Sequence, residues 1–239
     1  MVEAHYRRVL LKLSGEALGG EEGSGLDPDR LRALARELAE ARALGVELAL
    51  VVGGGNILRG ASAREMDRVR ADYMGMLATL INALALEDAL RRVGVPVRVL
   101  SALRVEGVGE PYHRERALEH LAAGRILILA CGTGNPFFTT DTAATLRALE
   151  IGAQILFKAT KVDGVYDDDP LRNPRARKYD YLSYEEVLSR GLKVMDATAI
   201  ALAREHGLPV RVFNMLKSGQ IKRALQGENI GTLVGGEKA

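Results

Sequence analysis

The 239-residue chain has no tryptophan, only four phenylalanines and a single cysteine, Cys131. One cysteine excludes an intrachain disulfide and any zinc site built from several thiolates. The four histidines are scattered and form no H-E-x-x-H pair, so no structural metal is expected. A surplus of charge is missing too: 33 lysines and arginines stand against 31 acidic residues, a net of +2. Such a balance argues against a general nucleic-acid or membrane binder, and any anion site must be local. No apolar run approaches the ~20 residues that span a bilayer, and the start M-V-E-A-H-Y-R-R-V-L-L-K lacks a signal-peptide core. A soluble cytoplasmic protein is expected. Both standard nucleotide fingerprints are absent. No G-x-x-x-x-G-K-[ST] occurs, and neither glycine run, at 53–58 or at 132–137, completes G-x-G-x-x-G. That disfavours a P-loop enzyme and a standard NAD-binding fold.

What is present is a regular alternation. With 47% hydrophobic and 27% charged residues, the chain has ample material for one large core, and a single domain over 1–239 is expected. Residues 8–13 read as a strand, and Asp27-Pro28 supplies an N-cap and an N1 proline for a helix whose Leu31, Leu34, Ala35 and Leu38 share one face. Gly45 ends it, and residues 46–52 form a buried strand running into three glycines. A helix over 72–93 follows, then strands at 97–100, 125–131 and 154–157 separated by helices at 112–123 and 141–150. Ser183 and Glu186 form a capping box, with a helix at 194–206, a strand at 210–213 and a C-terminal helix beyond. Strand then helix, repeated, indicates an α/β fold: a three-layer, open, mostly parallel sheet with helices on both faces. Ligands bind such sheets beyond the carboxyl ends of the strands. The glycine turns at Gly15, Gly53 and Gly132 all follow strands and should converge there.

The run G-T-G-N-P-F-F-T-T-D at 132–141 is the most specific of these turns. Gly132 and Gly134 permit close backbone approach, and Pro136 fixes its own φ and extends Asn135. Of the adjacent Phe137 and Phe138, one ring is expected in the core and the other on a pocket wall. Thr139 and Thr140 then cap a helix whose free N–H groups suit an anion. An ordinary structural turn explains the same residues. Lys12 lies inside an apolar strand, where a lysine is costly unless it meets an anion or a carboxylate; that reading is favoured over an edge lysine facing water. Arg59 is either a bidentate phosphate grip or a surface arginine. Asp72 and Asp141 both stand at expected helix starts, where capping alone accounts for a carboxylate. The loop at 158–170 mixes two lysines, Tyr166 and a run of aspartates, and is either nucleotide-facing or solvated.

Taken together, these stretches resemble the bacterial uridylate kinases of the amino-acid-kinase fold family, over nearly the whole chain. The motifs are V-L-L-K-L-S-G-E-A-L at 9–18, G-G-G-N-I-L-R-G at 53–60, A-D-Y-M-G-M-L-A-T at 71–79 and the 132–141 run. K-A-T-K-V-D-G-V-Y at 158–166 and L-K-V-M-D at 192–196 complete the set. The resemblance implies transfer of the ATP γ-phosphoryl group to UMP with Mg²⁺. It implies ATP contacts from Lys12, Leu13, Ser14, Gly15, Gly55, Arg59, Thr160, Tyr166 and Asp169. For UMP it implies Gly54, Asp72, Thr133, Gly134, Asn135, Pro136, Phe137, Phe138, Thr139 and Thr140, with Asp72 on the ribose hydroxyls. Lys12, Arg59, Asp141, Lys161 and Asp196 are the implied catalytic group, Asp141 orienting the lysines. It further implies a homohexamer activated by GTP and inhibited by UTP, with Gly20, Glu21, Glu22, Gly23, Ser24 and Gly25 as the GTP-linked segment. Cys131 stands where the family pattern suggests a smaller residue. Two other readings share the fold: a kinase for a carboxylate or carbamate acceptor, and a nucleotide-binding storage protein without catalysis. Asp72 and the phenylalanine pair argue against the first, and the joint presence of Lys12, Arg59 and Asp141 against the second.

Overall fold

The structure, a computed structural model, describes residues 4–20, 23–58, 65–170 and 172–235. Its centre is the strand β1 (Arg8–Leu13), R-V-L-L-K-L, in which Val9, Leu10, Leu11 and Leu13 are all fully buried. A strand apolar on both faces belongs in the middle of a parallel sheet. There, β1 lies between β2 (Glu47–Val52) and β6 (Ile155–Thr160), parallel to both. The remaining strands are β3 (Val97–Ser101), β4 (Glu110–Pro111), β5 (Ile126–Ala130), β7 (Tyr181–Ser183), β8 (Val210–Asn214) and β9 (Thr232–Gly235). The nine form one sheet in the order β4-β3-β5-β2-β1-β6-β8-β9-β7. Among the described strands, β8–β9 is the one antiparallel pair.

Helices α1 (Pro28–Arg42), α2 (Arg68–Arg92) and α7 (Gln220–Leu225) cover one face, and α3 (Arg114–Ala122), α4 (Thr140–Glu150), α5 (Tyr184–Ser189) and α6 (Ala197–Glu205) the other. Because side chains alternate along a strand, Val9, Leu11 and Leu13 face α1 and α2, while Leu10 faces α4 and α6. Lys12 shares the side of Leu10. The local signals act as expected at α1, where Asp27 accepts from the backbone N–H of Asp29 and Arg30 at 2.8 and 3.2 Å, and at α5, where the Ser183–Glu186 capping box closes in both directions.

Two differences from the sequence reading stand out. Helix α2 begins at Arg68, capped by Asp67, one turn before its expected start, so Asp72 lies inside the helix and capping is not what holds it. The short strands β4, β7 and β9, of two to four residues, were not expected, being too brief for a period to show. Helix α2 is also long and apolar enough, by length and composition, to cross a membrane, although it holds no uninterrupted apolar run of that length. Half of that stretch is buried, against β2, β3, β5 and α1, as in a core helix.

Candidate active site

Register places the two central lysines. On the neighbouring parallel strands β1 and β6, Lys12 stands directly opposite Lys158. Both side chains point to the face covered by α4, where Asp141 receives them. Asp141 Oδ2 accepts from Lys158 Nζ at 2.7 Å, and Oδ1 lies 3.1 Å from Lys12 Nζ in an ionic contact without a directed hydrogen bond. Asp141 is free to do this because Thr139 does the capping: its Oγ1 accepts from the N–H of Asp141 and Thr142. Lys158 also donates to the Val194 carbonyl at 2.6 Å. All three charged side chains are about 85% shielded, with 13–15% of their surface accessible. Burial pushes the Asp141 carboxyl upward, but the charges of Lys12 and Lys158 outweigh it and hold the group below the usual carboxylate range. For Lys158, burial lowers the ammonium value, reinforced by Lys12 and opposed by Asp141. Two ammonium groups share one carboxylate, which leaves surplus positive charge at the carboxyl end of the sheet, an environment suited to an anion.

The backbone around this charge is drawn tight. A Cβ on Gly15 would sit 2.4 Å from the Gly53 carbonyl and 2.5 Å from Asn56 Oδ1, so only glycine lets the turns after β1 and β2 touch. The turn after β5 bends through two consecutive left-handed residues, Cys131 (φ 61°) and Gly132 (φ 58°). It is held from both sides. The Cys131 N–H donates to Thr79 Oγ1 at 2.8 Å, and Arg147 Nη2 donates to the Gly132 carbonyl at 3.3 Å.

Between this turn and α2 opens a cavity of about 690 Å³, large enough for a nucleotide. Asp72, Gly54 and Gly55 line one side, and Thr133, Asn135, Phe138, Thr139 and Thr140 the other. Asp72 ties the two walls together: Oδ2 accepts from the Phe137 N–H at 2.7 Å, and both oxygens accept from Arg68 Nε at 2.9 Å. Phe137 is itself in the left-handed region (φ 71°), which turns its ring outward, beneath the Arg68 guanidinium at 5.7 Å. Neither phenylalanine enters the core; Phe137 is 66% and Phe138 51% exposed. The expectation of one core ring is therefore corrected, and it is Phe138 that lines the cavity.

A sequence model described as "Amino acid kinase family" matches residues 7–214. The chain belongs to the amino acid kinase family. A protein named uridylate kinase from Legionella pneumophila (strain Paris) is 57% identical over 232 residues, covering 96% of this chain and 94% of the relative. Among solved structures, a UMP kinase from Bacillus anthracis superposes with a TM-score of 0.94 at 41% identity, covering 98% and 97% of the two chains. A UMP kinase from Ureaplasma parvum superposes with 0.90 at 37% identity, covering 96% and 98%.

In this amino acid kinase, the remaining residues singled out in the sequence fall into three groups. Leu13 ends β1 fully buried, and Ser14 opens the 3-10 turn Gly15–Ala17, so both sit at the Gly15–Gly53 contact. Gly134 and Pro136 belong to the 132–141 turn, with Gly134 in the left-handed region (φ 80°). Asp196 caps α6 through the Ala199 N–H and accepts from the hydroxyls of Thr139 and Thr142, tying α6 to the start of α4. A second group makes its contacts elsewhere than on Asp141. Lys161 pairs with Glu16 at 2.6 Å, Tyr166 bridges to Lys178, and Asp169 meets Arg172 at 3.5 Å. Thr160 ends β6 and folds its hydroxyl onto the Val162 backbone. The segment Gly20, Gly23, Ser24 and Gly25 is closed by Gly20 N–H to Ser24 O and Gly23 N–H to Gly20 O, and Gly25 N–H reaches Asn56 O at 2.8 Å. Arg59, Glu21 and Glu22 lie outside the described residues. Sequence reasoning singled out Lys161 as the second lysine, whereas Lys158 is the one that meets Asp141; the signal was the register of β6 against β1, which requires the strand order. Arg68 and Thr79 were also missed, being ordinary helix residues until the 132–141 turn is seen against α2.

Proposed function

We propose that this chain is an ATP-dependent UMP kinase, transferring the γ-phosphoryl group of ATP to UMP to give UDP and ADP in pyrimidine nucleotide biosynthesis. The observation that carries the reading is the Lys12–Asp141–Lys158 constellation beside a nucleotide-sized cavity. The uridylate kinase relative, at 57% identity, supports the choice of acceptor. In this reading an oxygen of the UMP phosphate attacks the γ-phosphorus as the bond to the ADP oxygen breaks. That nucleophile is already anionic, so no general base is needed, and catalysis is positioning and charge stabilisation. Lys12, joined by Lys158, neutralises the transferring group, and Asp141 holds the two ammonium groups side by side. The N–H groups of Ser14, Gly15, Gly54 and Gly55 cradle phosphate oxygens, and Arg59 has the proposed role of gripping phosphate. Asp72 accepts from the ribose hydroxyls of UMP, and the segment from Thr133 to Thr140 encloses its base and phosphate. Thr160, Tyr166 and Asp169 serve ATP.

Magnesium is proposed to travel with ATP, held mainly by its phosphates, and supplies charge neutralisation there. Among the described residues no group of three or more His, Cys, Asp or Glu stands together. Asp141 is taken by the lysines and Asp196 by threonines, so these residues do not fit a protein cage for the ion. We further propose one catalytic domain over 1–239, working in the cytoplasm as a homohexamer, with GTP as activator through the segment 20–25 and UTP as inhibitor. The exposed apolar side of α2 supports self-association. The test is ADP release against UMP, CMP, dUMP, GMP, glutamate and aspartate, with and without GTP. Release that depends on UMP and rises with GTP is expected. Release with an amino acid acceptor instead, or saturable ATP binding without release, overturns the reading.

A further inference from the structure

Asn82 sits in the middle of α2 with no accessible surface, where an amide is tolerated only if its hydrogen bonds are met. They are met by one other side chain and one turn. Asn82 Nδ2 donates to the Gly53 carbonyl at 2.7 Å and to Asn56 Oδ1 at 2.7 Å, and Asn82 Oδ1 accepts from Asn56 Nδ2 at 3.0 Å. The second Asn56 N–H goes to the Gly25 carbonyl at 2.7 Å, while the Gly25 N–H donates to the Asn56 carbonyl at 2.8 Å. All four amide N–H groups of the pair are thus used, and each side-chain oxygen accepts once. The same Gly53 and Asn56 oxygens are the atoms against which Gly15 is packed. One buried amide pair therefore touches three segments: the turn after β1, the turn after β2 and the glycine loop ending at Gly25.

We infer that Asn82 is a positioning residue for phosphoryl transfer, fixing the two phosphate-cradling turns against each other and, through Asn56, clamping Gly25 to them. This rests on the UMP kinase reading. Asn82 reaches no substrate. Its effect passes through the Gly53 carbonyl, whose peptide leads directly into the N–H of Gly54. Displacing that N–H by part of an ångström weakens contact with the transferring group while leaving the uridine side of the cavity, at Asp72 and Phe138, in place. Buried amide pairs of this kind define one arrangement because any other leaves polar atoms unpaired.

The test is Asn82→Asp, equal in size, which replaces the donor to Gly53 with an acceptor facing a carbonyl. Turnover is expected to fall about 10- to 100-fold while the KM for UMP stays within about threefold. Amide hydrogen exchange in peptides spanning Gly20–Gly25 is expected to quicken. Asn56→Ala, which removes the amide that joins Asn82 to Gly25, is expected to quicken the same peptides and to lower turnover about 5- to 10-fold. A folded Asn82→Asp or Asn56→Ala protein with unchanged turnover and unchanged exchange overturns the inference. So does a loss confined to thermal stability, with full turnover well below the melting temperature. Wild-type protein that releases no ADP with UMP sinks the kinase reading instead, a failure distinct from a variant that matches an active wild type.

Discussion

Lys12 and Lys158 face each other across the β1–β6 ladder and converge on the two oxygens of Asp141, so one carboxylate bridges two largely shielded ammonium groups. The trio unites the middle of the sheet with the start of α4, and it makes the site sensitive to each member in a different way.

Removing the shared partner is the severe change. Asp141→Asn leaves two shielded cations without a carboxylate, and unfolding free energy is expected to fall by about 3–5 kcal/mol, with turnover falling as well. Lys12→Ala leaves Asp141 paired to Lys158, so stability changes by about 1 kcal/mol or less while turnover falls roughly 10²- to 10³-fold. Urea unfolding at neutral pH and UMP-dependent ADP release separate the two. A Lys12→Ala protein that unfolds as readily as Asp141→Asn, or that turns over normally, contradicts this division.

The same trio sets an acid limit. Burial raises the Asp141 value, but the two lysines lower it more, so its folded value lies beneath the unfolded value of about 3.9. Between the two values the unfolded chain binds more protons, and stability therefore falls as pH drops. The contribution is complete above about pH 5 and is lost as pH falls through the folded value. Urea midpoints of wild type and Asp141→Asn, followed from neutral to acid pH, should differ most at neutral pH and converge in acid. A constant gap would refute the assignment.

Much of this was legible before any coordinates, and the misses have physical causes. The double-sided apolar pattern of β1, the Asp27-Pro28 start of α1 and the three glycine turns are local signals, and each appears where expected. Asp141 read as a possible cap because T-T-D offers three acceptors in a row; only the fold decides that Thr139 caps and Asp141 is spare. Asp72 read as a helix start because R-V-R-A carries little periodicity, yet Arg68 to Ala71 is helical. The phenylalanine pair was split between core and pocket by assuming an ordinary extended backbone. The left-handed φ at Phe137 turned that ring outward, and such a conformation is not predicted by a bulky residue. Lys158 could not be chosen over Lys161 without knowing that β6 neighbours β1.

Asp72 carries a prediction about the acceptor alone. Its carboxylate already accepts from the Phe137 N–H, so it closes the cavity as well as facing into it. Asp72→Ala removes charge-assisted hydrogen bonds expected on the UMP ribose, and the KM for UMP should rise about 10- to 100-fold. The KM for ATP should stay within about threefold, since Asp72 lies on α2 whereas Thr160, Tyr166 and Asp169, proposed to serve ATP, end or follow β6. Equal rises in both constants, measured in initial-rate grids, would mean that Asp72 maintains the whole site rather than the acceptor side.

The outer side of α2 predicts assembly. Tyr73, Leu77, Ile81 and Leu84 follow at intervals of four, four and three residues, and each is 37–48% exposed, so they form one apolar stripe along the helix. The opposite side of the same helix fills the core with Met76, Leu80, Ala83 and Leu86, which leaves the stripe available to a second copy of the chain. Like charges forced together at such a contact cost several kcal/mol. Leu77→Glu combined with Ile81→Glu brings carboxylates to both partners of such a contact and should shift the proposed hexamer to smaller species in light scattering after size exclusion. The circular dichroism of the chain should be unchanged, because neither side chain supports the core. A doubly substituted protein that elutes at the same size as an assembled wild type places the interface elsewhere on the surface.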